Sequence, residues 1–285
     1  MIGTMHPTHS AKALLRLATF AALLAAAPLA QAQSKPFVIP PDINGNKTIV
    51  AAPARTEKPL RIAIYDGPGS GDGGVQNVED RAKQMPGTQI TRLTPPEISS
   101  TDLAANFDVI VFSGGSGSGQ AKAIGEEGRA AVREFVRQGG GYVGVCAGAY
   151  LACSNFDWGL GILNARTVSP RWRRGRAFLD LGVESASEPI FGKIAAPFKV
   201  RYANGPIIKP MGRTDIPAYT TLFTYLTEVA ENESPVGIQI GSPAMAIAEF
   251  GKGRVFICGP HPENTPGLEH VIPRALIWAA GISPK

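Results

Sequence analysis

Apolar residues in the first half of the chain fall in short, nearly unbroken runs. Leu60–Tyr65 is the first, "FDVIVF" from Phe107 the second and "YVGV" at 142–145 the third, with "TQITRL" at 88–93 a further strand candidate. A strand buried on one face alternates apolar with polar positions, whereas a strand covered on both faces does not. These runs therefore predict a parallel sheet with helices on either side. Between them the spacing changes. A helix is expected from about Val75 to Met85. "GEEGRAAVREFVRQGGG" sets Ala130, Ala131, Phe135 and Val136 on one helical face, and Gly139–Gly141 stop it. A further helix opens after Cys146. The order is β-α-β-α-β-α, and three Gly-rich loops, 66–74, 113–119 and 146–148, fall at the carboxyl ends of strands, where such sheets bind ligands.

The second half is richer in strand signals. "NARTVSPRW", "RAFLDLGVE", "PFKVRYANGP", "AYTTLFTYLTE", "PVGIQI", "PAMAIAEF" and "GRVFICGPHPE" all suggest short strands and turns, and a final helix is expected over about Leu268–Ala280. The fold class is thus α/β: a mostly parallel central sheet with extra β structure in the second half. Residues 60–285 read as one domain.

The N-terminus has a different pattern. Lys12 and Arg16 precede an apolar run, Leu17–Ala27, and Ala30-Gln31-Ala32 has the small-x-small form of a cleavage site. This is the layout of a secretory signal peptide over residues 1–32, with an apolar run too short to span a bilayer. Export to the periplasm or the extracellular space is expected. Residues 33–59, polar and Pro-rich, read as an extended arm.

Charge narrows the partners. The chain has 28 Lys and Arg against 23 Asp and Glu, a formal net charge of +5, with two of the positive charges in the signal segment. No basic run is interleaved with aromatics, so nucleic acid is not an expected partner. No membrane span is expected after signal removal. GxxxxGK[ST] is absent, as is any Cys/His spacing for zinc, so neither a cofactor nor a metal is expected.

Three cysteines remain to be explained: Cys146, Cys153 and Cys258. An odd count leaves at least one free thiol. Cys146 and Cys153 are too far apart along a helix to bridge, whereas Cys153–Cys258 is open. Cys146 stands apart from the others because of its neighbours. Gly144 and Gly148 flank it as G-x-C-x-G, a nucleophile elbow with Cys in place of Ser. A sharp strand-to-helix turn projects the side chain outward, and glycines two residues either side remove Cβ atoms that would clash. The helix start offers backbone amides to an oxyanion, Ala147 first, with Gly114 or Gly115 of the neighbouring loop second. The plain alternative is a small buried cysteine on a glycine turn. A nucleophilic thiol needs a base. After signal removal only His261 and His270 are left. His261 follows a strand ending near Cys258, at the same sheet edge as Cys146, and Glu263 can orient its ring. His270 reads as a surface or capping residue.

These residues resemble a known group. G-V-C-A-G with a late H-P-E is similar to the class I glutamine amidotransferase-like superfamily. "YDGPGS", "GGGYVGVCAGAYLA" and "GRVFICGPHPE" look most like its biotin–protein ligase N-terminal-domain-like family, over roughly residues 60–280. The resemblance implies a flavodoxin-like three-layer α/β/α sandwich and a Cys146–His261–Glu263 triad. Two positions depart from the pattern. Glutamine-using members carry Gln four residues after the nucleophile, where this chain has Tyr150. Their P-G-G loop is here Ser113-Gly114-Gly115.

Tyr150, Tyr202, Asn204 and Arg174 are the candidate substrate contacts. Arg174 belongs to a cluster with Arg171, Arg173 and Arg176 around Trp172, suited either to a substrate carboxylate or to protecting a solvated edge strand. The expected function is an exported cysteine-dependent hydrolase acting on an amide bond of a small or peptide-like substrate. The alternative is a non-catalytic ligand-binding module on the same fold; a redox thiol is a weaker third. The sequence leaves the oligomeric state and the substrate open.

Overall fold

A computed structural model describes residues 37–53 and 58–282. The signal-peptide segment expected at residues 1–32 lies outside them. In the first half the elements run β1 (Arg61–Tyr65), α1 (Asp72–Ala82), β2 (Gln89–Leu93), α2 (Pro95–Ser100), α3 (Leu103–Asn106), β3 (Val109–Phe112), α4 (Gly117–Gln138), β4 (Gly141–Val145) and α5 (Ala147–Ala152). The second half adds β5 (Ala165–Thr167), β6 (Arg176–Val183), α6 (Glu188–Phe191), β7 (Phe198–Ala203), β8 (Ile208–Pro210), β9 (Thr220–Tyr225), β10 (Pro243–Phe250), β11 (Gly253–Cys258) and α7 (Val271–Ala279).

One nine-stranded sheet has the order β2-β1-β3-β4-β11-β10-β9-β6-β7, and β5 pairs with β8 separately. The strands from β2 to β11 are parallel. From β10 to β7 they are antiparallel. The chain thus builds a parallel half from its early strands and inserts β11, its last strand, beside β4. That insertion brings the residues after Cys258 next to those after Val145.

Burial explains the unbroken apolar runs. Ile62 and Ile64 of β1, Val109 and Val111 of β3, and Val143 and Val145 of β4 belong to one core. Their neighbours Ala63, Tyr65, Ile110, Phe112 and Tyr142 belong to a second core. Successive side chains point to opposite faces, and both faces are covered. On the second face Tyr65, Phe112 and Tyr142 stack, with ring centroids 5.0 and 5.8 Å apart.

Several elements differ from the sequence pattern. α2 and α3 occupy a stretch with no apolar periodicity. Their caps make them: Thr94 and Glu97 form a reciprocal capping box, and the Asp102 side chain accepts from the Ala105 amide. α4 begins at Gly117, capped by Ser116, and kinks at Gly125. Its buried stripe includes Ile124, Gly128, Val132, Phe135 and Val136, whereas Ala130 is exposed. "PVGIQI" forms no strand. Gly237 turns the chain at φ +82°, Val236 and Ile240 are exposed, and Gln239 is buried. The described part of the 33–59 arm is docked. The Asn44 side chain donates to the carbonyls of Lys199 and Pro266 and accepts from the Lys199 amide, Val50 is buried, and Phe37 stacks on Phe178.

Candidate active site

The site forms where β4 and β11 end side by side. Cys146 follows β4 directly and caps α5 with φ +50° and ψ −94°, a conformation a non-glycine residue occupies only when its surroundings fix it. Three contacts hold it. Its amide donates to the Cys258 carbonyl (2.7 Å), tying the end of β4 to the end of β11. α5 lies almost against the sheet: a Cβ on Gly148 would sit 2.1 Å from the Phe112 carbonyl, and one on Gly144 2.6 Å from the Gly148 carbonyl. The Cys146 thiol donates to the Ala203 carbonyl at 3.6 Å.

All three cysteines are free. Burial pushes the Cys153 thiol up to about 12 and Cys258 well above its ordinary value, so both are neutral and unreactive. Cys146 differs in lining a cavity of about 660 Å³.

His261 and Glu263 lie in the turn after β11. His261 Nδ1 is 2.7 Å from Glu263 Oε1, and both residues are buried. The turn is fastened at four points. The His261 amide donates to the Arg201 carbonyl, and the Thr265 hydroxyl donates to the His261 carbonyl. Thr265 also accepts from the Arg201 amide, and Arg81 Nε donates to the Glu263 carbonyl. Desolvation alone would lower the His261 ring. The negative charges of Glu263 and Cys146, and hydrogen bonds to both, outweigh it and push the ring up to about 10.

Gly114 and Gly115 face this pair. A Cβ on Gly114 would meet His261 Cε1 at 2.9 Å and Cys146 Cβ at 3.8 Å. Gly115, at φ +141°, is crossed so closely by the Gly69–Gly71 loop that only glycine fits. Neither loop amide donates to a backbone carbonyl of the described residues, and Ala147, as the first residue of α5, has no intrahelical acceptor.

Of the candidate substrate contacts, two line the cavity and two do not. Tyr150 and Asn204 line it. The Tyr150 hydroxyl donates to the Asn204 carbonyl at 3.2 Å, and burial raises it well above the ordinary tyrosine value. Asn204, at φ +59°, accepts through Oδ1 from the Gly175 amide, so its side chain ties the end of β7 to the residue that precedes β6. Tyr202 is turned into the core, its hydroxyl donating to the Gly205 carbonyl at 2.7 Å. Arg174 is fully buried, with Nη2 3.5 Å from Glu228 Oε2. The reason is strand parity. β7 buries Phe198, Val200 and Tyr202, and turns Lys199, Arg201 and Ala203 the other way. The four clustered arginines also separate, three before β6 begins and the fourth on its first residue. Arg171 pairs with Glu233, Arg173 lies over Trp172, Arg174 points inward, and Arg176 joins the cavity wall.

The sequence pattern names Arg176 only as a member of the arginine cluster and does not single out Arg201, whose signal is the alternation in "FKVRYA" itself. The cavity is closed on another side by Phe156, Trp158 and Trp172, with Phe156 and Trp158 stacked at 4.3 Å. Among the described residues no group of three or more His, Cys, Asp or Glu could hold a metal, and no helix is long and apolar enough to cross a membrane.

Comparison with known proteins bears on the fold. The model of the family "Biotin-protein ligase, N terminal" matches residues 60–188. An uncharacterized protein of Chlamydia muridarum is 29% identical over 170 residues; the match covers 55% of this chain and 61% of that protein, so the chain spans less than two thirds of that relative. A solved chain from PurLQS of Thermotoga maritima is 20% identical with a TM-score of 0.53, covering 78% of this chain and 99% of that one. A thua-like protein from Bacteroides uniformis is 15% identical with a TM-score of 0.55, covering 82% and 99%. At these identities the structures report the fold alone. Over residues 60–188 the chain is thus similar to the biotin-protein ligase N-terminal family, and its α/β fold is similar to that of the PurLQS chain.

Proposed function

We propose that this protein is an exported cysteine-dependent hydrolase that cleaves an amide bond of a small or peptide-like substrate through Cys146, His261 and Glu263. The observation that carries it is the buried His261–Glu263 pair, 2.7 Å apart, beside an elbow cysteine that opens on a cavity. In this reaction the Cys146 sulfur attacks the acyl carbon. The oxyanion accepts from the amides of Ala147 and of Gly114 or Gly115. The C–N bond breaks as His261 passes its proton to the departing amine, leaving a thioester. The neutral ring then takes a proton from water, the hydroxide attacks the thioester, and the carboxylate product leaves with the thiol restored. Glu263 holds the ring and stabilises its charge. Tyr150, in the place where glutamine-using relatives carry Gln, argues for a substrate other than glutamine.

Thiol reactivity tests the proposal without a known substrate. At pH 6 iodoacetamide is expected to alkylate Cys146 at least about tenfold faster than it alkylates glutathione, because a free thiol is almost entirely protonated there. A rate that follows glutathione across pH 5–9 overturns it. Export has its own measurement. The N-terminus of the protein recovered from the native host, read by mass spectrometry, is expected near Gln33; an intact Met1 on soluble protein in the cytoplasm sinks that part.

A second reading, a non-catalytic binding module, draws on the Tyr150–Asn204 hydrogen bond, which narrows the cavity near the thiol. It requires that Cys146→Ala leave the biological phenotype of the gene untouched. Loss of the phenotype on that single change excludes it.

A further inference from the structure

Among the described residues, two cations in the cavity wall form no ion pair. Arg176 and Arg201 both line it, on adjacent strands, and neither forms an ion pair or a side-chain hydrogen bond with any described residue. The other arginines nearby are not in this position. Arg174 has Glu228, Arg171 has Glu233 and Arg213 has Asp215, while Arg173 rests over Trp172. The Arg201 guanidinium is partly buried, with the Phe37 ring 5.7 Å beneath it. Burial lowers it and Arg176 lowers it further, while Glu263 and Cys146 act the other way. The like charges of Arg176, exposed, and Arg201, half-buried, share one wall of the cavity and repel each other. A bound anion would relieve that repulsion and accept forked hydrogen bonds from both guanidinium groups. The register explains why they face the same space. Arg176 lies opposite Ala203, and Arg201 opposite Phe178, in an antiparallel pair, and Ala203 supplies the carbonyl that accepts from the Cys146 thiol. The cavity is also lined by the aromatic rings of Phe156, Trp158 and Trp172.

We infer that the substrate is a carboxylate-bearing amide, its carboxylate held by Arg176 and Arg201 and its apolar or planar portion laid against Phe156, Trp158 and Trp172. This rests on the cysteine hydrolase reading for the amide, but the anion site stands on its own observations. A peptide C-terminus or an N-acyl amino acid has this chemistry; a neutral sugar or a polyamine does not.

A pair of alkylating reagents tests the anion site apart from the catalytic reading. Iodoacetate carries a carboxylate; iodoacetamide is its neutral counterpart. The ratio of their rates at Cys146 is measured at low ionic strength and compared with the same ratio for glutathione, with Cys146→Ala as the blank. Expected is a ratio raised about tenfold or more over glutathione, because a charged reagent is drawn into a cavity of opposite sign. In Arg201→Gln and Arg176→Gln the ratio falls severalfold, and the ratio cancels any change in thiol reactivity common to both reagents. Arg201→Lys retains most of the preference, which excludes a folding defect. A ratio equal to that of glutathione, or one unchanged in both Gln variants, overturns the inference. An iodoacetamide rate no faster than that of glutathione, with the ratio still raised and Arg-dependent, would fail the hydrolase reading and leave the anion site standing.

Discussion

His261→Ala slows alkylation of Cys146 by iodoacetamide at pH 6 by about a hundredfold, the expectation for a thiol that loses its proton acceptor. A free thiol with a pKa near 8.5 is less than about 1% thiolate at this pH, and a thiol beside a buried neutral alanine has even less reason to ionise. Part of the gain in thiolate is offset by its weaker intrinsic nucleophilicity, which keeps the figure near a hundredfold rather than higher. The pH dependence follows from the imidazole. Its folded value, about 10, lies above the ordinary 6.5. A group raised in this way adds stability that is fully present below pH 6.5 and is lost as pH rises through about 10. The urea midpoint of the wild type should therefore exceed that of His261→Ala by most at pH 6, and the gap should close towards pH 10. In Glu263→Gln the ring loses its principal stabilising charge, so NMR of the His261 ring should show it releasing its proton at lower pH than in the wild type. Equal alkylation rates in wild type and His261→Ala remove the activated nucleophile from the account.

The residues of this pair were legible in the sequence because two independent local signals named them. G-x-C-x-G states a backbone geometry, and H-P-E comes directly after an apolar run that has to be a strand. Their proximity depended on one long-range fact: β11, last in the chain, pairs parallel with β4. Elimination among the few histidines stood in for that topology. The substrate-facing wall had no such aid. It lies on β6 and β7 in the antiparallel half, where the choice of face follows from register alone. Naming Tyr202 instead of Arg201 is a shift of one residue, and such a shift exchanges core for cavity. Arg174 shows the same limit. In a cluster of four arginines nothing local says that Gly175, at φ +123°, will send one inward and the next into the site. The helices missed, α2 and α3, are set by capping side chains rather than by a stripe of apolar residues, so periodicity had nothing to report there.

Gly148→Ala is the change expected to cost most in stability. The added methyl would begin 2.1 Å from the Phe112 carbonyl, with Phe112 Cβ at 3.0 Å. Neither neighbour can yield. That carbonyl belongs to β3, and the Gly148 carbonyl is itself anchored by the Tyr142 hydroxyl at 2.8 Å. Only lifting α5 off the sheet makes room, and overpacking of this kind costs about 3 kcal/mol or more where backbone is the obstacle. Urea unfolding measures it, with Gly73→Ala as the control. A methyl at Gly73 would approach only the Asn77 side chain, at 3.8 Å, and helix propensity favours it, so that variant should be neutral or up to about 1 kcal/mol more stable. The two variants also separate packing from chemistry. Lifting α5 relaxes the turn that holds Cys146 at φ +50° and withdraws the Ala147 amide from the thiol. Gly148→Ala should therefore lose the enhanced alkylation rate in conditions where it is still folded, which a glycine needed for stability alone would not do. A variant that unfolds at the wild-type urea concentration and keeps its reactive thiol would mean that the close approach of α5 to the sheet is not what fixes the elbow.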